Sequence, residues 1–358
     1  MKTTLNTLTV AIMLTSGLAQ AADSANVLQS GNENKAVVTQ QSTNNVKAEV
    51  TQNMNKNNAE VKQIEALEGT LAVIEQTGDN HYAKTHQKDT KNSTITIDQG
   101  NSNKATAEQR ASTDSNIKIT QTKDNDASAY QQGIDSEISV TQQNNNNAWV
   151  VQNGNRNSVT IDQGESNTSW VKQEANDSTF SIDQNLASHS TVRGTQLANN
   201  SNAYLKQNAG VEHSTIVVSQ TGAGSHYAAI TQYHADYTNA DANQNGSGQS
   251  LVVEQFRTNN STAETYQYVK DNRLSLSQLD GDNNKFLGTQ IGEGNIIDAA
   301  KRYDLGLENN GIGQSGSFNV ADLRQVGVKN GIALTQSGSD QATVQQYGNS
   351  NMAYVNQY

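Results

Sequence analysis

A β-solenoid, a stack of short strand–turn–strand–turn coils, is the fold class this sequence predicts. Three observations predict it. Glutamine recurs every 10 to 13 residues, through Gln29, Gln40, Gln52, Gln63, Gln76, Gln87, Gln99 and onward to Gln290, and again from Gln314 to Gln357. The residues before each glutamine alternate between inward small or apolar and outward polar types, the period of a strand. The chain of 358 residues contains no proline, the residue that cannot donate to a β-ladder. Repetition at a fixed short period signals coils that bury their faces only on one another.

The first segment stands outside this pattern. Lys2 gives a positive start, Leu8 to Leu18 is mostly apolar, and Ala19-Gln20-Ala21 is a small-x-small cleavage site. Residues 1–21 therefore read as a secretory signal peptide, with a buried N-terminal strand as the alternative. Residues 22–358 form the repeat region.

Composition narrows what that region does. Hydrophobic residues are 33%, aromatics 5% and mean hydropathy −0.74. That is too little apolar material for an ordinary core, so order must come from stacking. There is no cysteine, which removes disulfides, thiol chemistry and thiolate metal sites. The net charge of −11 repels phosphate backbones and excludes nucleic acid as a natural partner.

Counting back from each glutamine, positions 0, −2, −4 and −6 share one strand face. In the first well-formed pair of segments these are Ser93, Ile95, Ile97, Gln99 and then Asn103, Ala105, Ala107, Gln109. The set recurs in Asn34 to Gln40, in Ser115, Ile117, Ile119, Gln121, and in Ser136, Ile138, Val140, Gln142. It appears again in Asn146, Ala148, Val150, Gln152, and at the end in Asn351, Ala353, Val355, Gln357. Gln163 and Gln184 continue the series. Turns of four or five Asn, Gly, Asp and Ser residues separate the segments. From Ser93 to Gln184 the apolar pairs alternate in size, so two segments of opposite size make one coil. About 15 coils of 22 or 23 residues are expected on this count. The series has one step of 24, between Gln290 and Gln314, which reads as two steps over a degenerate coil around 295–312, where Lys301 and Arg302 replace the expected glutamine, with a bulged loop as the alternative.

This pattern explains why glutamine is the repeated residue. Stacking sets each Gln on the Gln of the next coil, and amides can then bond in a ladder along the stack, as in cross-β structures. The candidate ladder residues are Asn34, Gln40, Ser93, Gln99, Asn103, Gln109, Ser115, Gln121, Ser136, Gln142, Asn146, Gln152, Gln163, Gln184, Asn351 and Gln357. The candidate core is Ile95, Ile97, Ala105, Ile117, Ile119, Ile138, Val140, Ala148, Val150, Ala353 and Val355.

The repeat Ser-x5-Gln, a short Gly/Asn turn, then Asn-x-Ala-x3-Gln resembles the curlin repeat of bacterial curli fibres. Ser93 to Gln109, Ser136 to Gln152 and the final GNSNMAYVNQY carry the resemblance, which runs over nearly the whole repeat region. It implies an amyloid-type cross-β fold and an extracellular fibre subunit at the bacterial cell surface, serving adhesion and biofilm matrix. It further implies self-association into a homopolymer, a companion curlin subunit or nucleator, an outer-membrane secretion channel and periplasmic chaperones. The chain is longer than the five-coil subunits typical of that family, and it lacks their glycine-rich segment after the leader.

No constellation of catalytic residues or cofactor motif stands out beside this. His81 and His226 occupy the −6 position of a ladder, and polar substitution there is the plain reading. Asp98, Asp162 and Asp183 lie outward on a wet face. Position −1 runs Thr39, Thr51, Lys62, Glu75, His86, Asp98, which is not the regular Thr array that a flat-face ligand such as ice or polysaccharide would need. A monomeric ligand-binding solenoid is the alternative to the fibre subunit, and a polysaccharide-cleaving solenoid is a more distant one.

Overall fold

A computed structural model of the chain describes residues 9–15, 23–297 and 312–357. Every described regular element is a β-strand. The chain divides into two compact units, Met1–Ser166 with Trp170–Glu174, and Asn167–Ser169 with Ala175–Tyr358. Each is a parallel β-solenoid with two strands per coil, as the sequence predicts.

In the first unit, strands alternate between two sheets. One, sheet A, holds Lys35–Gln41, Asn58–Ile64, Tyr82–Lys88, Lys104–Arg110, Asp126–Gln132 and Asn147–Asn153. The other, sheet B, holds Ser24–Ser30, Lys47–Asn53, Leu71–Thr77, Thr94–Asn101, Asn116–Lys123, Glu137–Asn144 and Ser158–Glu165. Each strand pairs with the strand one coil away, and like repeat positions face each other. Ile117 lies between Ile95 and Ile138, and Gln121 between Gln99 and Gln142. This register buries one whole side-chain set, and a one-residue slip would expose it.

The thin core sits between the two sheets. Ile95, Ile97, Ile117, Ile119, Ile138 and Val140 enter from sheet B; Ala105, Ala107, Ala127, Ala129, Ala148 and Val150 enter from sheet A, and all are buried. Large residues thus face small ones across a narrow space, the alternation that close packing needs. The turns need left-handed backbone just before each ladder residue. Asn92, Ser102, Asp114, Asp124, Asp135 and Asn145 have φ of 46°, 50°, 51°, 52°, 53° and 52°. Asn and Asp tolerate this region best after glycine, which favours them in the turns. Gly133 has no substitute: its φ is 143°, and a Cβ there would lie 1.7 Å from the Gly154 carbonyl oxygen of the next coil.

Thr9–Thr15, inside the segment read as a leader, forms a strand in parallel register with Lys35–Gln41.

The second unit repeats the plan with Thr191–Gln196, Thr215–Gly224, Asn239–Ser247, Thr262–Lys270, Lys285–Glu293, Val320–Val328 and Gln341–Asn349 in sheet A. Sheet B includes Thr179–Ser188, Asn202–Asn208, Tyr227–Tyr233, Ser250–Asn259, Arg273–Asp282, Gly331–Ser337 and Met352–Gln357. The step from Gln290 to Gln314 is not a degenerate coil. Ile296–Ile297 pairs with Arg273 and Leu274, and Ile312–Ser315 pairs with Leu276 to Leu279. The two pieces complete one strand of sheet B, and residues 298–311 are an insertion within it. Gln314 is therefore the glutamine of that strand, and Lys301 and Arg302, which lie outside the described residues, replace nothing. The coil count falls accordingly, to about 14 turns instead of about 15.

Candidate functional site

The glutamine ladders are continuous within each unit and run in one sense. In sheet B of the first unit, Gln29 Nε2 donates to Gln52 Oε1, and Gln52 to Gln76 at 2.8 Å. Gln76, Gln99, Gln121 and Gln142 continue to Gln163, each bond 2.9 Å. In sheet A, Gln40, Gln63, Gln87, Gln109, Gln131 and Gln152 pass bonds of 2.9 to 3.0 Å along to Gln173. In the second unit one ladder begins at Gln184, which donates to Gln207 at 2.7 Å, and ends with Gln336 donating to Gln357 at 3.0 Å.

The second amide hydrogen ties the sheets together. Gln99 Nε2 also reaches the Tyr82 carbonyl at 3.2 Å, Gln109 the Ser115 carbonyl at 2.9 Å, and Gln121 the Lys104 carbonyl at 3.0 Å. An amide with both hydrogens and its oxygen engaged bears burial that an unpaired one would not.

The Asn and Ser ladders run in the opposite sense. The backbone N–H of each later coil donates to the side-chain oxygen of the earlier one. Asn57 donates to Asn34 Oδ1 at 3.0 Å, Asn125 to Asn103 Oδ1 at 2.9 Å, and Asn146 to Asn125 Oδ1 at 2.9 Å. On the serine side Ser115 donates to Ser93 Oγ at 3.4 Å and Ser136 to Ser115 Oγ at 3.2 Å. Asn351 N–H meets Asn330 Oδ1 at 3.0 Å. The ladder residues read from the sequence are thus brought into files of like residues, and the core residues named with them line the space between.

Two strands of sheet B are open. Among the described residues, Ser24–Ser30 pairs only with Lys47–Asn53, and Met352–Gln357 only with Gly331–Ser337. Their inward residues Ala25, Val27, Gln29 and Ala353, Val355, Gln357 are half-buried, where the corresponding residues inside the stack are fully covered. Gln29 Oε1 has no hydrogen-bond partner. Leu28, Met352 and Tyr354 stand exposed beside these edges.

The outer faces carry features that the sequence reading missed. Trp149 and Trp170 stack at 5.0 Å with an 11° tilt, one coil apart. His189, His213 and Tyr237 stack at 5.3 and 4.9 Å, and Tyr233 stacks on Phe256 at 5.0 Å under the Arg257 guanidinium. A spacing of 21 to 24 residues between aromatic side chains was the available signal. On sheet A, Glu60 pairs with Lys84 at 3.1 Å and His86 Nδ1 lies 3.4 Å from Glu108. Burial holds His86 below its usual pKa despite Glu108. Asp98 stands beside Glu75 and Thr120, on an open face. Asp241, in register with Glu264, is raised first by burial and then by that carboxylate. Among the described residues no group of three or more His, Asp or Glu side chains is placed to hold a metal ion, and no helix is long and apolar enough to cross a membrane.

No family model matches this chain, and the comparison with curated proteins found no match.

Proposed function

We propose that this chain is a structural subunit of an extracellular, curli-type functional amyloid fibre that supports cell-surface adhesion and biofilm matrix by self-templated polymerisation. The observation that carries the reading is the likeness of the two open strands of sheet B. Ser24–Ser30 presents Ala25-x-Val27-x-Gln29 inward, and Met352–Gln357 presents Ala353-x-Val355-x-Gln357. A second copy laid with its Ser24–Ser30 along Met352–Gln357 continues the register met within each unit. Gln357 Nε2 then faces Gln29 Oε1, the acceptor left without a partner, in the sense that the rungs within each unit follow. An open edge of this kind, unblunted by charge or proline, templates addition of another strand. The partners named by the resemblance, a companion subunit, a secretion channel and chaperones, belong to this proposal, as does export of residues 22–358 after removal of the leader.

Standing residues 22–358 at micromolar concentration, with and without sonicated seeds, tests it. The expected result is a thioflavin lag abolished by seeds and fibre diffraction near 4.7 Å and about 10 Å. Val355→Lys, which places a charge inside the open strand, is expected to leave the fold intact and stop elongation. A soluble β-rich monomer that ignores seeds overturns the reading. The stacked Trp149 and Trp170 would then favour a solenoid that binds a ligand such as polysaccharide on a flat face.

A further inference from the structure

The ladders contain two residues that can change charge near neutrality. His81 takes the place of asparagine between Asn57 and Asn103, and His226 stands between Ser201 and Gln249. Both are 1–2% exposed. His81 N–H donates to Asn57 Oδ1 at 3.1 Å, and its Nδ1 accepts the Asn103 N–H at 3.3 Å. That bond requires a bare Nδ1, so the ring is the neutral tautomer with its proton on Nε2. Nε2 has no hydrogen-bond partner, although the Gly100 carbonyl lies near enough to favour the charged form. His226 Nε2 lies 2.9 Å from the Thr221 carbonyl, to which it donates, and its Nδ1 is buried without a partner.

We propose that His81 and His226 are proton-operated breaks in the stack, closed while neutral and opened when protonated. A proton on His81 Nδ1 would meet the Asn103 N–H head on, two donors with no acceptor between them. It would also place a charge where asparagine and serine offer only neutral dipoles. The charge is poorly answered. Asp79, in the same turn, is the carboxylate that acts on His81; Lys56 of the preceding coil and Glu33 of the coil before it line the same turn, and rung neighbours Asn57 and Asn103 are uncharged. Around His226 the Thr221 and Gly246 carbonyls favour the charged form, and rung neighbours Ser201 and Gln249 are uncharged. In both, burial outweighs these contacts and holds the pKa below the ordinary 6.5.

The sign follows from linkage. With the closed-coil pKa below the open-chain value, the open chain takes up the proton first. Stability is full above pH 6.5 and is lost as pH falls from there through the lower, closed-coil value. The inference concerns the coil itself and holds whether or not the chain polymerises.

Amide exchange of the full chain, read on peptides that span 81–103 and 226–249, tests it at pH 7.5 and 5.5. The comparison is with His81→Asn and His226→Asn, which supply the residue other rungs already use. At pH 7.5 the chains should match. At pH 5.5 the wild-type peptides should open more often than the variants. The ceiling is about tenfold, because that pH lies one unit below the ordinary histidine value. The rung at Asn125 and Asn146, which has no histidine, should not respond. Equal exchange of wild type and variants at pH 5.5 overturns the proposal. So does a wild-type imidazole resonance of His81 that titrates at the ordinary value while its coil stays closed, a reading that needs no variant.

Discussion

The two units build the same ladders but place their bulk differently. In the first, from Ser93 to Gln152, large residues enter from sheet B and smaller ones, alanine at every position but Val150, from sheet A. Its longer connections lead from sheet A to sheet B: five residues separate Gln87 from Ser93 and Gln109 from Ser115, against three between Gln99 and Asn103. Those longer arcs close over small buried side chains, Ala66, Thr90 and Ser112. In the second unit the long arcs lead from sheet B to sheet A, with five residues between Gln232 and Thr238 and six between Gln207 and Ser214. They enclose a separate small cluster of Ala187, Val211 and Ala235, continued by buried Thr258. Their outer sides carry the stacked rings of His189, His213 and Tyr237. The lesson is that the glutamine ladders fix register, while arc length and the division of core volume are free to vary from coil to coil. An added residue in an arc is tolerated when a small inward side chain fills the space beneath it.

The sharpest test of that division is the core of the first unit. Ile117→Ala removes a buried side chain whose counterparts across the core are already alanine, so nothing nearby can expand to fill the space. A loss of about 2–5 kcal/mol is expected, read as a lowered urea midpoint for coils near Ile117 with the second unit unchanged. A loss below about 1 kcal/mol would mean that the sheets collapse together and that alternation of size is not what sets their spacing.

Most of the fold was legible because its causes are local and repeated. Gln99, Gln109 and Gln121 announce the period, and Ile95 and Ile97 beside Ala105 and Ala107 announce two strands per coil. What was not legible depends on partners far apart in sequence. The insertion at 298–311 looked like a lost coil because the step of 24 is twice the usual length. Its two halves, Asn295-x-Ile297 and Ile312-x-Gln314, are one repeat split in the middle. The opposite senses of the glutamine and asparagine ladders depend on amide orientation, which residue type does not encode. The open strands at Ser24–Ser30 and Met352–Gln357 are legible only in part: the repeat pattern of the final segment is plain in the sequence, while the pairing of its inward triplet with Ala25-x-Val27-x-Gln29 depends on which strands the fold leaves open.

A second, smaller effect tests the freer packing of the second unit. Phe180 lies in sheet B with its ring against Gly194, a position at which sheet A of the first unit carries Val61, Thr85, Ala107 or Ala129; a Cβ on Gly194 would lie 1.8 Å from Phe180 Cζ. Gly194→Ala therefore overfills the coil and is expected to cost about 1–3 kcal/mol. Combining it with Phe180→Leu should recover much of that loss, since the two positions share one space. Additive losses in a double-mutant cycle would show that the glycine is there for its backbone and not for the ring.

The smallest effect belongs to the arcs. Tyr237 covers His213 at 4.9 Å with only a 4° tilt, at the outer end of a connection whose inner side already rests on Ala235. Removing the ring in Tyr237→Ala takes away the stack but leaves the buried cluster, so about 0.5–1.5 kcal/mol should be lost. The change should appear as faster amide exchange across residues 233–238 and leave the Gln232 rung protected. If protection at Gln232 falls as well, the arc and the ladder are one cooperative element. Arc length would then not be free to vary, and the distinction between the two units would be one of stability as well as of shape.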